Sequence, residues 1–233
     1  VYALILLIRG LGWAVMDSLS RVVQPYIILF EEKGERDKIA FFTRLGVAVT
    51  SFGALVLVLL VLCFGDWILR GWLNTTASPS FGLKEAICLS FLLDIALLPV
   101  FNTLIALSRH RTLSILMAVQ SALMIAFGEL FARSGWFGGG AVAVTYGILL
   151  ASLLSFLIAG PLIAAPGMAL TFTAFVKSVL IRPLIFVAFA TVAVFAPSAA
   201  IFFLVFGVAC LVTWFVLLVP EERSFVRSFL KRS

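Results

Sequence analysis

Five residues of one apolar segment carry the chemistry of this sequence: Arg9, Trp13, Asp17, Arg21 and Gln24, all within Val1 to Phe30. At about 100° per residue they share one side of a helix, within an arc of roughly 120°. Three of them are charged, and a charge near the centre of a bilayer costs about 2.5 to 3.5 kcal/mol on insertion scales. From Arg9 to Gln24 a helix rises about 22 Å, most of a hydrocarbon core about 30 Å thick. The stripe therefore reads as a substrate-binding wall along which something polar crosses a membrane. Arginine suits an anionic cargo, because its planar fork donates to phosphate oxygens in bidentate fashion and keeps its charge at any working pH. In that reading Arg9 and Arg21 attract an anionic cargo, Asp17 orients Arg21, and Trp13 and Gln24 complete the wall. The competing reading is purely structural: Asp17 and Arg21, four residues apart, neutralise one another against a neighbouring helix while Arg9 snorkels outward.

The elements that must hold this stripe are membrane helices. Of 233 residues, 63% are hydrophobic and 12% charged, and the mean hydropathy is +1.20, far from the roughly quarter-charged composition of soluble domains. The apolar runs are much longer than the alternating segments of about ten residues in a membrane β-barrel. The fold class expected is an all-α integral membrane protein with about seven spans, near 1–30, 40–63, 84–107, 112–131, 141–163, 179–196 and 199–219, followed by a basic tail over 220–233.

Between the spans, Glu31 to Lys38 is a solvated turn with seven charges in eight residues and Gly34 placed as a helix C-cap. The third span adds Asp94 and Asn102, eight residues apart on one face, with Pro99 between them as a kink. Asp94 with Asn102 is a candidate ion or proton coupling site, and the alternative for Asp94 is a hydrogen bond to a facing helix. Glu129 and Arg133 are spaced to pair at an interface. Gly147, Ala151, Ser155 and Ala159 form a small-residue stripe for close helix packing. Gly138 to Gly140 lacks the Lys-Ser/Thr and the preceding strand of a phosphate loop, and reads as a turn.

Other chemistries find little material. Cys63, Cys88 and Cys210 stand alone, the single histidine is His110 in a short basic turn, and neither a metal site nor a cofactor is expected. No basic patch with interleaved aromatics suggests nucleic acid. An acyl- or glycosyltransferase would need a catalytic cluster at a span end, and the charged turn has no catalytic spacing. We therefore expect no enzyme.

Counting Lys and Arg across the seven spans puts twelve on one side, including Lys33, Arg36, Lys38 and the tail, and three on the other, Arg70, Lys84 and Arg133. The positive-inside rule then makes the charged turn and the tail cytoplasmic and the start of the chain non-cytoplasmic. With no initiator Met, this leads us to expect upstream helices.

Gln24-Pro25-Tyr26, the Gly34–Lys38 run GERDK, the FGDWILRGWL of Phe64 to Leu73 and the WFGGGAVA of Trp136 to Ala143 together resemble the multidrug/oligosaccharidyl-lipid/polysaccharide exporter superfamily, within it the polysaccharide and lipid-linked oligosaccharide flippases. The resemblance implies the C-terminal lobe of a two-lobed, fourteen-helix transporter in a bacterial inner membrane. Its partners would be membrane lipids, a lipid-linked saccharide and a missing N-terminal lobe. A cation-coupled drug antiporter of the same superfamily is the alternative, with a cavity dominated by acids.

Overall fold

The structure, a computed structural model, describes residues 2–73, 82–135, 140–168, 170–195, 197–214 and 224. All regular elements among them are helical: α1 (Tyr2–Arg21), α2 (Gln24–Glu32), α3 (Arg36–Leu73), α4 (Leu83–Ala106), α5 (His110–Ser134), α6 (Gly140–Leu154), α7 (Ala165–Gly167), α8 (Phe172–Phe175), α9 (Ile181–Phe195) and α10 (Ala199–Val212). Wider π-helical turns at Ser155–Ala164 and Val176–Leu180 join α6 to α7 and α8 to α9. Among the described residues, four helices are long and apolar enough to cross a membrane: Arg36–Trp67, Leu83–Ala106, His110–Ser134 and Gly140–Gly167.

The hub is α4. Its apolar window is 94% buried, against 17% for α5, and a helix that is apolar all round is the kind that sits inside a bundle. Around it pack α1, α2, α3, α5, α6 and α9. Two apolar clusters share it. One joins Leu55 and Leu59 of α3, Leu92 and Ile95 of α4, Phe186 of α9 and Val205 of α10. The other joins Leu97 and Leu104 of α4, Leu116 of α5, Phe156 and Phe175.

Proline explains where helices depart from the expected spans. The first apolar segment is two helices, broken at Val22 and Val23, because Pro25 offers no N–H and its ring crowds the carbonyl four residues back, that of Arg21. At the break the Val23 N–H reaches Ser20 O at 3.4 Å, a tighter turn than the helix uses. Pro161 and Pro183 act more gently. Pro161 lies inside the first π segment and Pro183 just after the second, where a wider turn absorbs the missing donor. Accordingly the fifth expected span runs on to Gly167, and helix resumes at Phe172 rather than near residue 179.

The second span is longer than expected, 38 residues through Gly65 and Asp66, or about 57 Å. Its far end is tied to the start of α4 by Lys84 Nζ to Asp66 Oδ1 at 3.1 Å. Gly34 does close α2, with φ +71°, a value that a side chain would strain. Gly147 lets α6 lie against α5: a Cβ there would collide with the Phe127 carbonyl oxygen. Helix α10 is capped by Ser198, whose hydroxyl accepts from Ile201 N at 3.3 Å. Residues 215–219 of the seventh expected span, the Gly138–Gly139 part of the glycine turn and all of the basic tail except Ser224 lie outside the described residues.

Candidate functional site

The polar stripe of α1 and α2 faces the hub, and the two candidate groups of α4 meet it. At one end the Arg9 guanidinium donates through Nη2 to Asp94 Oδ2 at 2.5 Å. Asp94 is 3% exposed and Arg9 23%. The other Asp94 oxygen accepts from Gln120 Nε2 of α5 at 3.0 Å, and the buried Ser152 of α6 lies beside the same carboxylate. Three helices thus converge on one side chain of a fourth. Burying a carboxylate is tolerated only with such a set of partners.

At the other end the centre is Asn102. Its Nδ2 donates to Ser20 Oγ at 2.9 Å and to Asp17 Oδ1 at 3.3 Å, and its Oδ1 accepts from Gln24 Nε2 at 3.1 Å. Asp17 in turn accepts from Arg21 Nε at 2.8 Å. This network spans the break between α1 and α2, so Asn102 holds both sides of the discontinuity. Beneath it Thr43 of α3 and Thr103 of α4 lie 2.9 Å apart through their hydroxyl oxygens. Thr103 also donates to the Pro99 carbonyl at 2.8 Å, and Pro99 itself sits within a continuous helix against Gly46.

Of the expected site residues, Arg9, Asp17, Gln24, Asp94 and Asn102 come together along the α1–α4 seam. Arg21 reaches it only through Asp17 and is 64% exposed. Trp13 is half-buried against the first apolar cluster, and among the described residues it joins no polar contact of the seam. Arg9 does not snorkel outward: it is turned to Asp94. The two-to-one excess of Arg over Asp along α1 is balanced once Asp94 is counted, so the seam holds two cations and two carboxylates. An anion would therefore be held by the guanidinium donors still free rather than by net charge.

Ser20 and Gln120 are parts of the site that spacing alone left without a role, since each is an ordinary polar residue on its own helix. Glu129 and Arg133 pair at 2.6 Å on the exposed face of α5, away from the seam. Among the described residues no three His, Cys, Asp or Glu side chains come close enough to hold a metal ion, and the three cysteines are free.

Neither protein-family models, curated proteins nor solved structures match this chain.

Proposed function

We propose that this chain is the C-terminal lobe of a membrane transporter that moves a lipid-linked oligosaccharide or polysaccharide precursor across the bacterial inner membrane by alternating access. The seven spans, the cytoplasmic tail and the outside start belong to this proposal, as does an N-terminal lobe that completes the cavity. The chain does no covalent chemistry in this scheme.

One observation carries the reading. Arg9 and Arg21 lie about 18 Å apart along the helix axis, each tied to a carboxylate and each still partly exposed, at 23% and 64%. Ionisable residues inside membrane segments mark pathways more often than they serve packing. Two arginines at two depths give a phosphate successive donors, and the carboxylates keep the empty site neutral. The break at Val22–Val23 lies just past both arginines, between Arg21 and Gln24, and supplies a flexible point for rocking one bundle against the other. The motif resemblance over Gln24 to Ala143 adds the substrate class.

A cation-coupled drug exporter of the same architecture is favoured by a different observation, the buried Asp94 among Arg9, Gln120 and Ser152. Complementation separates the two. The native gene carrying Arg9→Ala or Arg21→Ala is introduced into a strain lacking its polysaccharide flippase. Loss of glycan export at normal expression supports the saccharide reading; wild-type export by both variants defeats it. Unchanged glycan export with lost drug resistance in Asp94→Asn favours the exporter.

A further inference from the structure

Charge is spread unevenly over the two ends of the bundle. Thr43 of α3 lies 2.9 Å from Thr103 of α4, and Arg182 Nη1 donates to the Arg44 carbonyl at 3.0 Å, so the start of α3, the end of α4 and the start of α9 share one end. At the other end Lys84 pairs with Asp66 and Arg133 with Glu129. Within the first end the turn from Glu31 to Lys38 is balanced, with four acids against three bases, and Lys38 pairs with Glu35. The turn between α4 and α5 is different: it presents Arg109 and Arg111, and Lys177 stands before α9, all three exposed. Among the described residues the side chains of these three form no ion pair and no hydrogen bond.

The segment 170–181 that carries Lys177 has two faces. Phe175, Val179 and Leu180 are buried against Leu104 of α4 and Leu116 of α5, while Thr171, Phe172, Thr173, Lys177 and Ile181 are exposed. Phe172 and Ile181 show 52% and 43% of their surface. Apolar and cationic groups on one open face are what an interfacial segment offers a bilayer. Its entry is held close to the basic turn: a Cβ on Gly167 would come within 2.8 Å of Thr112 Cγ2 and 3.0 Å of Leu104 Cδ2.

We infer that the turn 108–112 and the segment 170–181 together form a headgroup site for an acidic phospholipid of the surrounding bilayer, of the phosphatidylglycerol class. The phosphate lies among Arg109, Arg111 and Lys177, and the acyl chains run along Phe172 and Ile181. Clusters of Lys and Arg at a membrane surface attract acidic headgroups, and here no carboxylate competes, whereas the acids of the Glu31 to Lys38 turn cancel its bases. The site uses the bilayer location of the helices and no part of the α1–α4 seam, so it is independent of the cargo.

The test uses the full chain in phosphatidylcholine nanodiscs that contain a trace of phosphatidylglycerol or phosphatidylcholine with a photoreactive diazirine near the headgroup, with labelled peptides mapped by mass spectrometry. Phosphatidylglycerol should label the peptides of 109–111 and 170–181 in excess over phosphatidylcholine, and both lipids should label exposed Phe203 and Leu204 of α10 equally. Arg109→Gln and Lys177→Gln should each cut the excess about fivefold, and Lys33→Gln in the balanced turn should leave it unchanged. In the unsubstituted protein, 0.5 M salt should lower the excess by screening (about 4 Å Debye length). An excess no larger than on α10, a loss in the two variants no larger than in Lys33→Gln, an excess unmoved by salt, or one abolished by millimolar inorganic phosphate overturns the inference.

Discussion

Neutralising the Arg9–Asp94 pair one charge at a time, and then both together, measures how strongly this contact holds the bundle. Arg9→Gln leaves Asp94, 3% exposed, as a buried carboxylate with only neutral partners, and breaking a buried pair from one side costs about 3 to 5 kcal/mol. Asp94→Asn leaves Arg9 unpaired, but at 23% exposure the guanidinium reaches the headgroup region or water, so about 2 kcal/mol is expected, below the roughly 2.5 to 3.5 kcal/mol of a centred lone charge. The double variant removes both charges and leaves two amides that can hydrogen-bond, at a net cost of about 1 kcal/mol. The singles should therefore be far from additive, with a coupling of about 4 to 6 kcal/mol. The assay is reversible unfolding of the purified protein in dodecylmaltoside micelles with rising dodecyl sulfate, followed by helical circular dichroism. Single variants within about 0.5 kcal/mol of wild type, with a double variant that simply adds them, would refute the contact.

Two more outcomes follow from the packing. Asn102→Leu removes three side-chain hydrogen bonds, to Asp17, Ser20 and Gln24, at about 0.6 kcal/mol each in a membrane bundle, so the same unfolding assay should lose about 2 kcal/mol. Gln24→Leu placed in the Asn102→Leu background should add almost nothing, since its partner there is already gone. Gly147→Ala puts a methyl group into the Phe127 carbonyl, which separates α5 from α6 at about 1 to 3 kcal/mol. Ala118→Gly, on the exposed face of α5, should cost less than Gly147→Ala, and a reversed order contradicts the assigned interface.

Much of the helical membrane architecture was legible in composition and hydropathy, and so were local relations. The pairs Asp17–Arg21 and Glu129–Arg133 follow from four-residue spacing, and both form. Gly147 as a close-packing site follows from its small-residue stripe. The break near Pro25 was not legible as two helices, because sequence marks the missing donor and not how the chain absorbs it. The same limit hid the π turns before Pro183 and around Pro161. What periodicity cannot give is register between helices far apart in sequence. Arg9 and Asp94 were each visible as charges within apolar segments, but their union across 85 positions depends on how α1 slides along α4. Gln120 and Ser20 became site residues for the same reason, through neighbours on other helices. Lys84 was counted as a loop charge, and its buried pairing with Asp66 reflects a second helix that runs further than its hydropathy suggested.

In the proposed transport cycle the two arginines, Arg9 and Arg21, handle the phosphate of a moving lipid. The most direct measurement is flipping of a fluorescently labelled lipid-linked saccharide in vesicles holding the native protein, read by chemical quenching from outside. Charge-assisted hydrogen bonds are worth about 1.5 to 3 kcal/mol, so Arg9→Gln and Arg21→Gln should each slow flipping at least about tenfold in protein that remains folded. Wild-type rates in both variants would contradict the account.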